Sequence, residues 1–457
     1  MEDPRGARGR DDTRIDVAIV GAGLTGLACA RRLTEAGAAC RIFEASDGVG
    51  GRIRTDRREG FLLDRGFQVF LESYPEARRV LDYARLDLRP FEPGALVRVG
   101  GGFYRISDPF RNPLRALRTL RSPVGTLGDK LRVLRLRHRA RSGELFSGDE
   151  TTTLEALRRL GFSQGMIDAF FFPFLGGIFL DPSLETSSYL MDFVLRWMSE
   201  GDVSLPARGM GAIPEQLAGG LPAGTVWLDS RVRRVSPAGV RSPAAVELDG
   251  GARIEARTVV MATGEPDAVE GLVGGRSELP NPGSKAATCL YFSAQEPPLE
   301  GPWLVLSGER EDLVRNLAVL DRVAPGYAPP GSHLVSATVL TGPPKHGAGT
   351  GAREEKHSPA KDEEEAALRD DLLEAAVRRQ LVDWFGNQVD LWERVAIYRI
   401  PHALPAQPPG FRARRQLGPC WADGLFLAGD WLESGSIEGA LRSGRRAAEA
   451  VLESLRA

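Results

Sequence analysis

Three glycines, Gly21, Gly23 and Gly26, follow directly on the apolar run Ile15 to Val20 and open a segment that reads as a helix. The spacing G-x-G-x-x-G, with Ala22, Leu24 and Thr25 between the glycines, has a physical use. The first glycine permits a tight turn, and the second lets a pyrophosphate approach the backbone. The third lets the helix pack closely on the strand, while the N–H groups of the first turn face the anion. A second strand, "ACRIFEA", ends near Glu44, where a carboxylate can accept hydrogen bonds from a ribose 2′-hydroxyl. An acid at this point disfavours a 2′-phosphate, so the pattern points to FAD or NAD and away from NADP. The plain alternative is a glycine-rich turn beside a surface glutamate. Strand, glycines, helix, strand and acid in register weigh against it.

The residues after Glu44 choose between the two dinucleotides. Ala45 follows, then Gly50, Gly51 and Arg52. Adjacent glycines let the chain pass close to a ligand, and Arg52 supplies a fixed positive charge for a phosphate. An NAD site has no need of this extension, so FAD is expected.

The run Glu44 to Arg52 resembles the E-A-x-x-x-x-G-G-R signature of the flavin-containing amine oxidoreductases, which include amine oxidases, protoporphyrinogen oxidases and plant-type carotene desaturases. The likeness extends over the whole chain, through "VVMATG" in the middle and "FLAGD…SIEGALRSG" at the end. It implies that Ala262, Thr263 and Gly264 meet the cofactor, with Gly429 and Asp430 against its ribityl–phosphate region. It implies that the helix starting at Ile437, Glu438 and Gly439 aims its N-terminus at the flavin ring, where a dipole stabilises negative charge on reduction. Val232 matches a position whose backbone meets the adenine. Gly66, Phe67 and Gln68 match a segment lining the isoalloxazine.

Within the family, amine oxidases frame the amine with two aromatic side chains and hold a water with a lysine. Here Ser436 and Ala403 stand at the aromatic positions and Thr288 at the lysine, Lys285 being three residues early. The segment "RGFQVFLESYPE" is similar to the G-x-H-x-F-x-x-x-Y-P stretch of plant-type carotene desaturases, with Gln68 in place of histidine, and "IPHALPAQPPG" resembles a loop of protoporphyrinogen oxidases. The resemblance therefore implies dehydrogenation of a bulky, largely apolar substrate by hydride transfer to flavin N5. A peroxide-producing amine oxidase is the alternative, and a flavin-binding scaffold without turnover the lesser one. No catalytic side chain stands out; His402 reads as a structural or exposed loop residue.

The elements that must position these residues follow from length and pattern. A chain of 457 residues exceeds one ordinary core. The expected class is α/β, with α+β character in the second domain: a discontinuous Rossmann-like FAD-binding domain (14–74, 205–285 and 395–457) and an inserted substrate domain (75–204 and 286–394). Residues 1–13 read as a disordered tail, and 341–365, rich in glycine, proline and then charge, as a flexible insertion. The closing helix repeats Ile437, Leu441, Gly444, Ala448, Val451 and Leu455 at helical spacing, and a second helix places Leu373, Val377, Leu381 and Trp384 on one face.

Hydrophobic residues at 42 % and charged ones at 26 % describe a globular chain, and the net charge of −2 gives no footing for nucleic acid. Four scattered cysteines carry no metal-ligand spacing, so no metal is expected and a reducing, cytoplasmic compartment is. The cluster Phe170, Phe171, Phe172, Phe174 and Phe179 suits either a greasy tunnel wall or plain core. Residues 111–141 hold ten Lys or Arg against one acid, beside Leu127, Leu131 and Leu134. Such a segment is either a solvated helix face or a peripheral contact with anionic lipid that admits a lipophilic substrate. The electron acceptor stays open between oxygen and a quinone.

Overall fold

The computed structural model describes residues 14–107, 122–142, 149–239, 242–274, 279, 281, 283–340, 359–410, 413 and 418–456. The expected tail 1–13, residues 341–358 of the expected insertion, and 111–121 of the basic segment lie outside them. Residues 359–365, also expected in the insertion, instead begin the helix Pro359–Phe385.

The branched run at the start forms the strand Arg14–Val20, with Val17, Ala18 and Ile19 fully buried. It pairs in parallel with Cys40–Phe43 on one side and Arg253–Met261 on the other. Strands covered on both faces need such continuous apolar sequence. Among the described residues the sheet has eight strands; Leu425–Leu427 adds in parallel to Arg253–Met261, and the hairpin Val232–Ser236 with Ala244–Leu248 closes an edge. The glycine turn leads into the helix Leu24–Glu35, which packs along the closing helix Ile437–Arg456. Small residues set that contact: a Cβ on Gly444 would lie 2.2 Å from the Thr25 carbonyl oxygen.

A second sheet of seven strands runs in the order Glu393–Pro405, Ser284–Ala294, His333–Val339, Val314–Val319, Leu304–Ser307, Gly94–Val99 and Gly102–Ser107. One face packs on the Pro359–Phe385 helix through Val377, Leu381 and Trp384. Ser284–Ala294 and Glu393–Pro405 are paired antiparallel along most of their length. The expected divisions at 285/286 and 394/395 therefore cut two hydrogen-bonded strands, and residues 395–405 belong to the second sheet, not to the first. The helix Leu127–Ser142 lies against Ser188–Glu200. No helix among the described residues is long and apolar enough to cross a membrane.

Candidate active site

The glycine turn is built for close approach. Gly21 has φ +103°, and a Cβ there would meet the Ala262 carbonyl oxygen at 2.9 Å. A Cβ on Gly26 would lie 2.0 Å from the Gly21 oxygen, so helix and strand pack backbone to backbone. Gly23 has nothing within 4 Å of the space a Cβ would take, and it borders a cavity of about 1120 Å³. Glu44 is clamped beside it: one carboxylate oxygen accepts the Ala22 N–H at 2.7 Å, the other the Ser46 N–H at 2.9 Å and hydroxyl at 2.7 Å. Gly50 donates its N–H to the Ala22 oxygen at 2.8 Å and has φ +115°, bringing the second glycine pair against the first turn.

Arg52 links the two ends of the chain, donating to Asp430 at 2.6 Å and to the Ala403 carbonyl at 3.4 Å. Burial opposes the charge on Arg52, but Asp430 and then Glu265 outweigh it and hold its pKa up. Burial also holds the Glu265 carboxyl above the ordinary range, against the pull of His402 and Arg52. His402 Nδ1 lies 2.6 Å from Glu265 Oε1 and 2.8 Å from Ser284 Oγ. The Gln68 amide donates to the Arg52 carbonyl at 2.9 Å, which fixes the backbone under the guanidinium.

Most of the residues singled out in the sequence border this one cavity: Gly21, Gly23, Leu24, Thr25, Glu44, Ala45, Gly50, Gly51, Arg52, Gly66, Phe67, Gln68, Val232, Ala262, Thr263, Gly264, Gly429, Asp430 and Ile437. Ala22, Gly26, Glu438 and Gly439 are not in its wall. Glu438 points away, accepting the N–H groups of Glu76 at 2.9 Å and Ala77 at 3.4 Å and pairing with Arg442. Gly439 is needed for packing, since a Cβ would stand 1.9 Å from the Ser434 oxygen. Ser436 lines the wall and caps the closing helix, accepting the Gly439 N–H at 3.0 Å.

Two expectations need correction. His402 is not in a loop; it sits in the strand Glu393–Pro405 and borders the cavity. Thr288 does not face the cavity; its neighbours Ala287 and Cys289 do, because side chains alternate across a strand. No lysine stands at either position, and Lys285 instead approaches Asp181 at 3.6 Å.

Away from the glycine turns the wall becomes apolar. Phe170, Phe171 and Phe174 border the cavity, whereas Phe172 and Phe179 do not. Phe172 is core, with the Arg310 and Arg315 guanidinium carbons 4.5 and 5.0 Å from its ring centroid. Residues Ile167–Phe171 form a π-helical turn, a wide geometry common at functional sites. Val133, Leu134, Leu136 and Arg137 of the basic helix complete that end. Sequence reasoning missed Arg231, Arg233, Glu265 and Tyr74 among the lining residues. The arginines flank Val232, Glu265 follows Gly264, and Tyr74 is the tyrosine of the G-x-H-x-F-x-x-x-Y-P likeness, so all four adjoin or belong to stretches read from the sequence.

The donor set fits FAD. Bare glycine backbone borders the cavity, Glu44 stands at the end of the second strand, and the linked Arg52 and Asp430 border the same cavity.

The family model for flavin containing amine oxidoreductases matches residues 24–452. Protoporphyrinogen oxidase 2, chloroplastic/mitochondrial, of Arabidopsis thaliana is 28 % identical over 163 residues, 35 % of this chain and 32 % of that protein. The 4,4'-diapophytoene desaturase (4,4'-diaponeurosporene-forming) of Staphylococcus haemolyticus is 48 % identical over 50 residues, 11 % of this chain and 10 % of that protein. The chain thus spans a third or less of the length of these relatives. A solved putrescine oxidase superposes with a TM-score of 0.69 at 18 % identity, covering 96 % of this chain and 99 % of that one, a likeness of fold.

Proposed function

The chain belongs to the flavin containing amine oxidoreductases and is an FAD-dependent oxidoreductase, and from that premise we propose that it desaturates a bulky, largely apolar substrate. The observation carrying this reading is the single cavity that runs from the glycine turn and Glu44 to Phe170, Phe174 and Leu134. When bound, FAD would supply the two-electron acceptor: one substrate hydrogen would leave as a hydride to N5 and the one on the adjacent carbon as a proton, leaving the double bond and reduced flavin. The protein's own tasks are then to bind, orient and keep out water. Orientation by a shaped apolar wall contributes several kcal/mol without an acid or base in contact. Framing a nitrogen centre calls for aromatic side chains and a lysine, yet Ser436 and Ala403 stand at the former positions, and Ala287 and Cys289 face the cavity near the latter.

The basic helix supports a second element of the proposal, that substrate arrives from an anionic lipid surface. Its inner face borders the cavity at Val133 and Leu136, while Leu127 and Leu131 are 64 % and 57 % exposed.

Anaerobic titration of the holoprotein with amines, porphyrinogens, carotenes and sterol or squalene precursors tests the reading through bleaching of the flavin bands. Apolar compounds should bleach them and amines should not. Amine-dependent peroxide formation at ordinary turnover, with no reduction by any polyene or porphyrinogen, overturns it.

A further inference from the structure

One rung of the seven-stranded sheet forms part of the cavity floor. Cys289, Thr338, Asn316 and Leu306 are successive partners across four strands. All four border the cavity. Leu306 is apolar, and the Cys289 thiol is engaged with Ser336 Oγ at 3.3 Å. The two middle members differ. Asn316 and Thr338 are 6 % and 4 % exposed, and neither Asn316 Oδ1 nor Thr338 Oγ1 has a hydrogen-bond partner among the described residues.

Buried polar atoms are nearly always satisfied, and one left without a partner costs stability for no return in the free protein. Here two stand side by side on a floor where Leu and Val would pack as well. Gly177 on the facing helix makes room: a Cβ there would come within 3.0 Å of the Asn316 amide nitrogen.

We infer that Asn316 and Thr338 form a hydrogen-bonding subsite for one polar group of the substrate, an N–H or O–H carried on an otherwise apolar framework. Asn316 Oδ1 accepts from that group, and the Thr338 hydroxyl either donates or accepts. A plain hydrocarbon leaves both atoms unpaired and is the poorer ligand. This rests on the proposed reading of the cavity as the substrate site, and it narrows the substrate class.

Carbazole and fluorene, tricyclic molecules of like shape that differ by N–H against CH2, test it by equilibrium dialysis against the oxidised holoprotein. Carbazole should bind about tenfold more tightly. Asn316→Leu and Thr338→Val should each bring that ratio towards one, weakening carbazole and not fluorene, and keep or raise the melting temperature, since each removes an unsatisfied group. If the leucine variant fails to fold, the valine variant carries the same readout. A wild-type ratio near one, or a ratio unaltered in a folded variant, overturns the inference. Binding requires no turnover, so failure of the desaturation reading leaves this result intact, and loss of the preference leaves that reading intact.

Discussion

The Glu44 carboxylate accepts the backbone N–H of Ala22 at 2.7 Å, which ties the acid at the end of the second strand to the glycine turn after the first. The acid proposed to take the ribose and the turn proposed to take the pyrophosphate are thereby held as one unit. Replacing Glu44 by Ala removes the proposed ribose partner and the clamp together. FAD affinity should fall by about 1.5–3 kcal/mol, roughly ten- to a hundredfold in Kd. Titration of the apoprotein with FAD, followed by flavin fluorescence, measures it; an unchanged Kd would contradict the role given to Glu44.

Gly444→Ala probes the packing that brings the two ends of the chain together. The new methyl would lie 2.2 Å from the Thr25 oxygen and 3.0 Å from both the Ala28 Cβ and the Cys29 backbone nitrogen, and a helix must shift to admit it. A loss of about 1–3 kcal/mol is expected, with earlier flavin release on heating. Gly219→Ala is the control, because a Cβ there meets nothing within 4 Å and Ala is the better helix former. Thermal unfolding should separate the two, and equal melting temperatures would refute the packing account.

Asp192 faces the basic helix from Ser188–Glu200, and burial raises its pKa to about 7, Arg139 only partly opposing the shift. A carboxyl raised in the folded state contributes stability that is fully present below the ordinary carboxylate range. That contribution is lost as pH rises to about 7. Asp192→Asn should therefore match the wild type near pH 4 and exceed it above pH 7, by up to about 4 kcal/mol. Melting curves across this range check it; a constant difference between the two proteins counts against the assignment.

Attachment to lipid should depend on charge and on two leucines. The wild type should sediment with anionic vesicles at low salt and leave them at high salt, and neutral vesicles should not retain it. Leu127→Ser with Leu131→Ser should weaken anionic binding severalfold at constant charge. Equal sedimentation with both vesicle types would remove the proposal.

What sequence alone determined lies within short stretches of chain. The strand–turn–helix around Gly21 to Gly26, the acid at Glu44 and the apolar face of the closing helix each rest on neighbours a few residues apart. Glycine conformation, strand alternation and helical period act at that range, so these elements were legible.

Only the tertiary structure decided which of them meet. Arg52 and Asp430 are 378 residues apart in the chain, and nothing local in either announces the 2.6 Å contact. The polar rung at Thr338 and Asn316 exists because the sheet order sets His333–Val339 beside Val314–Val319 in one register. Moving one residue along a strand turns a side chain to the opposite face, which is why Thr288 looks away from the cavity and Cys289 into it. Parity and strand order are collective properties of a closed hydrogen-bond ladder. A single strand read by itself carries the alternation but not which face becomes the inside.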